Sequence, residues 1–205
     1  MDSKYNTQTG WLCLDFANTV DWHASSHPVE SITNYSDLLE WSKQVGIISD
    51  VAADLLARKG EEKTAEAQAI LHEARKLREA IYHIFSNMSH QHPVGQTDLN
   101  VLNEAIADTL SHSRLTPQDS GFVWDRDYNA DKLNFILWPI IRSAVDLMTS
   151  EALQRVGQCA DEKGCGWLFW DSSRNRSRRW CDMRDCGNRA KVRRYYKKSK
   201  KANCK

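Results

Sequence analysis

Four of the six cysteines fall within 28 residues, as Cys159-x5-Cys165 and, fifteen residues later, Cys181-x4-Cys186. Two short-spaced pairs separated by a loop suit a structural Zn(II) site, because a tetrahedral shell with Zn–S near ~2.3 Å accepts four soft thiolates from two turns. Residues 1–10 lack a basic start followed by an apolar core, so no export signal is expected and stable disulfides are disfavoured. A disulfide pair or free thiols remain the alternatives to the metal. Cys13 sits in the apolar run 11–16 and reads as a buried core thiol, and Cys204, in the lysine tail, as a free exposed one. The expected cofactor is therefore one structural Zn(II) ion on Cys159, Cys165, Cys181 and Cys186. Gly187 follows the last ligand and suggests a tight turn. A helix over 187–200 would place positive partial charge beside Cys186. Four thiolates on one Zn(II) carry a formal −2, and Arg184, Arg189 and Lys191 are near enough in sequence to offset part of it.

The net charge of +1 conceals a division. Residues 174–205 hold 14 Lys/Arg against Asp182 and Asp185, a balance of +12, while residues 1–173 hold 14 basic and 25 acidic side chains, a balance of −11. The basic end can attract a polyanion at short range and the acidic body repels it, which favours one orientation. Over 174–196, Trp180, Met183, Val192, Tyr195, Tyr196 and two cysteines interleave with the cations, so a folded element is expected there rather than a solvated tail. A segment of ~40 residues seldom folds on its own core, so the metal would supply most of its folding free energy.

The residues resemble a known family. Cys-Gly-Trp-Leu-Phe-Trp-Asp-Ser-Ser-Arg-Asn (165–175), Arg-Arg-Trp-Cys-Asp-Met (178–183) and Cys-Gly-Asn-Arg-Ala-Lys (186–191) look like the CGNR zinc finger, named for Cys186, Gly187, Asn188 and Arg189. In bacterial proteins that finger follows a domain called ABATE. Trp-Leu-Cys-Leu-Asp-Phe-Ala-Asn-Thr (11–19), Leu-Arg-Glu-Ala-Ile (77–81) and Trp-Pro-Ile-Ile-Arg-Ser-Ala-Val-Asp-Leu (138–147) are similar to it. The first cysteine pair is one residue longer than the family's usual loop. The resemblance implies metal binding, DNA binding and a stress-induced transcription regulator.

The elements that must position these groups read as mainly α with short β strands (α+β), followed by a small zinc-stabilised β-hairpin/helix finger. The expected division is an ABATE-like, mostly helical domain over 1–156, a finger over 157–198 and a basic disordered tail over 199–205. Residues 11–16 suggest a short strand. Ser36 would cap a helix to 46, Asp50 would begin one to 59, and a long helix would span 62–88 with Ile70, Ala74, Leu77, Ile81, Ile84, Phe85 and Met88 on one buried stripe. Thr97 or Asp98 would cap a further helix with Leu99, Leu102, Ile106 and Leu110 on one side. Residues 114–116 and 122–126 suggest a hairpin. A helix over 131–148 would be kinked or restarted at Pro139, and Ser150 would cap a last turn before a short, stiff boundary near Gly157.

In the body, the seven histidines read as surface or partly buried imidazoles, and His90 and His92 could bind metal adventitiously. Neither H-E-x-x-H, a nucleophile elbow nor G-x-G-x-x-G occurs, so no enzyme is expected. Asp15, Asn18, Thr19 and Arg78 form a possible ligand pocket. Turn capping competes for the first three, and a solvated place on the helix rim for Arg78. Packing is the default for Trp11, Trp22, Trp41, Trp124 and Trp138.

The candidate nucleic-acid contacts are Arg174, Arg176, Arg178, Arg179, Asn188, Arg189, Lys191, Arg193, Arg194 and Lys197. Helical spacing puts Arg189, Arg193 and Lys197 on one stripe. Asn188 is either a base contact or a helix-start cap. The expected partner is duplex DNA, with a possible small-molecule effector, a possible homodimer and no membrane, in the cytoplasm. Two alternatives stand beside it: an RNA-binding protein in which Trp170, Tyr195 and Tyr196 stack on bases, and a small-molecule binder or enzyme with a purely structural finger.

Overall fold

The computed structural model describes residues 5, 9–126, 132–161 and 163–202. Cys204 and the expected helix start at Asp131 lie outside the described residues.

Residues 11–16 are helical, not a strand: α1 spans Leu12–Ala17. Six residues are too few to distinguish the two periods in sequence. Packing decides, since Cys13, Leu14, Phe16 and Ala17 are at most 1% exposed and α1 inserts into the core between two longer helices. Phe16 meets Trp41 at a ring-centroid distance of 5.1 Å. Burial pushes the Cys13 thiol up to about 12, which suits an inert core residue. A two-strand ribbon follows, β1 (Val20–Asp21) antiparallel to β2 (Val29–Glu30).

Helix α2 (Tyr35–Gln44) starts one residue before the expected cap. Asn34, not Ser36, is the N-cap: its side chain accepts from the Asp37 amide at 2.9 Å, and the Asp37 carboxylate returns to the Asn34 amide. Helix α3 (Asp50–Glu62) is capped by Ser49 and overruns Lys59. Helix α4 (Thr64–Ser89) is the spine, its stripe buried from Ile70 to Phe85 and Met88 only partly covered. Helix α5 (Gln96–Ser111) has Gly95 at its N-cap, so neither Thr97 nor Asp98 caps it. It buries Leu102 but leaves Leu110 54% exposed, short of the four-residue apolar side that spacing suggests.

The hairpin forms as β3 (Ser113–Gln118) against β4 (Gly121–Arg126), with Leu115 opposite Trp124. A 3-10 turn, Leu133–Leu137, then gives way to α6 (Trp138–Met148), and Pro139 in the first turn marks a restart, where its missing amide is harmless. A second 3-10 turn, Glu151–Arg155, follows Ser150, whose side chain makes no cap hydrogen bond.

The C-terminal quarter grows out of this core without a linker. Strand β5 (Val156–Gln158) pairs with β6 (Leu168–Trp170) across the expected boundary at Gly157. A Cβ on Gly157 would lie 2.8 Å from the Phe169 ring. Leu168 is fully buried among body residues. Asn18 grips its backbone at two points: Nδ2 donates to the Leu168 carbonyl, and Oδ1 accepts from the Leu168 amide, both at 2.8 Å. A π-turn (Met183–Gly187) leads into α7 (Asn188–Ala202), so residues 199–202, expected in a disordered tail, are helical.

Arg78 is not on a solvated rim. It is 3% exposed, and its two Nη atoms donate to the two Glu30 oxygens at 2.7 and 2.6 Å. It also donates to Thr19 Oγ1 at 3.2 Å and to Glu79 Oε1 at 3.1 Å. This pairing anchors β1–β2 to α4. Removing Glu30 would leave the buried Arg78 guanidinium short of its main partner, which is costly.

Two outcomes follow. Asn18→Ala leaves both Leu168 backbone groups unpaired, and urea denaturation should show a loss of about 2–4 kcal/mol. A change well under about 1 kcal/mol would mean that β6 is not tied to the body. Glu79 is held at about 2, from an ordinary 4.5: burial opposes ionisation, but the His23 hydrogen bond and charge, then Arg78, outweigh it. A carboxyl whose folded pKa lies below its unfolded one contributes its full stability above 4.5 and loses it as pH falls through 2. Thermal melts should therefore decline across that window, and Glu79→Gln should flatten the decline.

Candidate metal centre and basic face

The first cysteine knuckle leaves β5 and returns to β6. The Cys159 amide donates to the Trp167 carbonyl at 2.8 Å, and the Gly164 amide to the Asp161 carbonyl at 2.9 Å. Two conformationally demanding glycines lie in this knuckle. Gly164 (φ +89) and Gly166 (φ +70) are left-handed, and a Cβ on either would strike backbone of the 24–25 segment within 2.8 Å. Gly187, which spacing singles out, is not left-handed; its Cβ position lies 2.9 Å from Met183 Sδ.

The second knuckle is the π-turn. Asp182 caps it by accepting from the Arg184 amide at 2.6 Å. The Ala160 amide donates to the Arg179 carbonyl at 2.9 Å and ties the knuckles together. Beyond the cysteines, among the described residues the finger's own cluster contains only Trp167 and Trp180.

The four sulfurs all lie within 4.8 Å of one another, with Cys165–Cys181 and Cys181–Cys186 at 3.6 Å. Tetrahedral ligands at ~2.3 Å from zinc would sit about 3.8 Å apart, whereas a disulfide would need about 2.05 Å. Three of the four cysteines are buried. Four thiolates this close favour a cation among them. Hydrogen bonds from Cys165 and Cys181 lower Cys159, and its proximity in turn raises Cys165 and Cys181, while burial raises Cys186. One thiolate therefore suppresses the others unless positive charge lies among them. The donor set fits one zinc ion, and a shell closed by four cysteines makes that ion structural, with no open coordination position.

The cations of the finger fall into two groups. Arg178 faces inward: Nε donates to the Trp180 carbonyl at 2.9 Å, Nη1 to the Trp170 carbonyl at 3.3 Å, Nη2 to the Cys181 carbonyl, and its guanidinium covers the Phe169 ring. Arg189 donates to Cys186 Sγ at 2.8 Å, to Asp161 Oδ2 at 3.1–3.2 Å and to Asp185, and stacks 4.8 Å from the Trp22 ring centroid. Arg193 also pairs with Asp161. Asn188 Nδ2 donates to the Arg184 carbonyl at 2.9 Å, which serves the helix start. Three arginines among the candidate phosphate contacts, Arg178 of the loop and Arg189 and Arg193 of the helical stripe, are thus bound internally. Arg174, Arg176, Arg179, Lys191, Arg194 and Lys197 are exposed. Arg179 lies over the Trp180 ring, and Arg176 donates to Gln154 at 3.4 Å.

The four possible pocket residues are buried and turned to protein partners. Asp15 accepts from the Thr9 amide at 3.1 Å, Asn18 holds Leu168, Thr19 donates to the Phe16 carbonyl at 2.8 Å, and Arg78 pairs with Glu30. Asp161 and Trp22 escape sequence reasoning. An acid placed between two ligand cysteines was the available signal for the first; nothing local marks the second.

The Arg189 contact with Cys186 should tune the metal. Arg189→Gln is expected to bind zinc about 10–100-fold more weakly in competition with a chromogenic chelator, while wild type holds one zinc per chain. Equal affinities would remove Arg189 from the account of the site.

Comparison with known families agrees with this geometry. A profile for ABATE, described as "Putative stress-induced transcription regulator", matches residues 10–151, and one for the CGNR zinc finger matches residues 155–199. Neither is an enzyme family. No curated protein matches the chain. Among the described residues no helix is long and apolar enough to cross a membrane. With well over half of its length matched by the first profile and its four cysteines inside the second, the chain belongs to the ABATE family and carries a CGNR zinc finger at its C-terminal end.

Proposed function

We propose that the protein is a transcription regulator of the cytoplasm that holds duplex DNA with the outward basic face of its finger. The observation that supports this is the sorting of the cations. Arg178, Arg189 and Arg193 stabilise the finger, whereas Arg174, Arg176, Arg179, Lys191, Arg194 and Lys197 stay exposed on a framework fixed by four cysteines. The acidic body, at −11, disfavours approach from any other side. Phosphates are the natural partners of such a face, and arginine can add guanine readout where it reaches the major groove.

The body would sense a ligand or a partner, or dimerise. The groove between α2, α3 and α4, about 540 Å³ and lined by Tyr35, Leu39, Thr64, Gln68 and Leu71, has the size for a small effector. A second reading has its own observation: Tyr195 and Tyr196 are 70% and 62% exposed on the same helix as Lys191 and Arg194, as stacking on single-stranded RNA requires.

Titration of the zinc-loaded protein with a labelled duplex against salt tests the first reading. Six phosphate contacts give a log K against log[salt] slope of roughly −5, and Lys191→Ala/Arg194→Ala should reduce it by about two. A slope near zero would defeat the electrostatic account. Preferential displacement of the duplex by single-stranded RNA, abolished by Tyr195→Ala/Tyr196→Ala, would transfer the role to RNA.

A further inference from the structure

We infer that Asp161 is a positioning residue that locks α7 to the first cysteine knuckle and to the body, and so decides which cations of the helix face outward. Its binding arm rests on the nucleic-acid reading above; its structural arm does not.

The Asp161 side chain is fully buried, yet it lies between two ligand cysteines in a short loop. It receives Arg189 on Oδ2 and Arg193 on Oδ1, so one carboxylate spans one turn of α7. The loop itself is held, since the Gly164 amide donates to the Asp161 carbonyl and the Lys163 amide approaches Oδ1 at 3.4 Å. Arg189 extends the lock in two further directions, to Cys186 Sγ at 2.8 Å and onto the face of Trp22. Trp22 is a body residue in the left-handed region (φ 55), adjacent to the segment that Gly164 and Gly166 touch. A buried carboxylate with two arginines is maintained only where geometry is fixed, because unpaired charge is costly there.

The helix advances about 100° per residue. Pinning Arg189 and Arg193 inward therefore turns Lys191 to the opposite side and leaves Arg194 on the outward flank, about 100° from Arg193. The second of two cation stripes, rather than the one with the more regular spacing, becomes the surface that a polyanion meets. The lock also ties knuckle order to helix direction through one loop, Cys159 to Cys165.

Asp161→Asn in the zinc-loaded full-length protein decides the matter, read by metal content, amide exchange along α7, and duplex binding against salt. The expected result is one zinc retained, α7 exchange at least tenfold faster, and weaker duplex binding with no steepening of the salt slope. Tighter binding with a slope steeper by up to two would overturn the inference, because Asp161 would then be sequestering two phosphate contacts. Unchanged exchange would overturn it as well. Should Asp161→Asn lose its metal, Arg193→Gln replaces it. The same loosening of α7 with an unchanged slope supports the lock; a slope reduced by about one makes Arg193 a phosphate contact and defeats it. If wild type binds no duplex at all, the functional reading fails while the exchange measurement still decides the role of Asp161.

Discussion

Four sulfur atoms confined within 4.8 Å cannot all be anionic unless a cation stands among them. That constraint organises the C-terminal quarter of the chain. The closeness of Cys159 raises the Cys165 and Cys181 thiols, so a cation among the sulfurs favours the full thiolate set. Bound zinc leaves a formal −2 that still needs positive partners in a partly buried place. Arg189 supplies one, directly on Cys186, and Arg178 reinforces the second knuckle from its backbone side. The internal arginines are thus consequences of the metal chemistry before they are anything to do with a partner.

The same charge logic removes the usual independence of a small zinc domain. The finger's own apolar cluster is a few cysteines with Trp167 and Trp180, too little for a separate core. Its larger side chains serve the body: Leu168 lies in the main core, and Trp167 Nε1 donates to the Val20 carbonyl at 3.0 Å. The His23 amide meets the Cys165 carbonyl at 3.1 Å. Gly164 and Gly166 exist as glycines because body backbone occupies the space of a Cβ. A family boundary falls between residues 151 and 155, but physically β5–β6 is a strand pair of the body that extends into a metal knuckle.

What was legible in the sequence follows from range. The four ligands could be read because their chemistry is rare and their spacing local. The α4 stripe could be read because 26 residues give several repeats of the helical period, and the hairpin because Pro117 and Gly121 lie close to its turn, although both pair within the strands. Residues 11–16 could not, since so short an apolar run satisfies strand or helix until its neighbours are known. The Asn34 cap was displaced from Ser36 by the reciprocal bond with Asp37, a pattern present in the sequence but easily passed over. Arg78 was illegible for another reason: its partner Glu30 lies 48 residues away, and burial of an arginine depends wholly on such a partner.

The basic helix carries the most instructive difference. Spacing alone makes Arg189, Arg193 and Lys197 the obvious polyanion stripe, because period and charge are both right. Nothing in that reading registers a carboxylate 28 residues upstream, placed beneath the stripe by two cysteines that flank it. Once Asp161 is there, desolvation selects the outcome: a fully buried carboxylate must be neutralised by the nearest guanidinium groups, whichever stripe they belong to. Cations count toward a binding face only after the charges under the helix have been paired, and in this chain that accounting leaves the exterior to Lys191, Arg194 and Lys197 of the helix and to Arg174, Arg176 and Arg179 of the preceding loop.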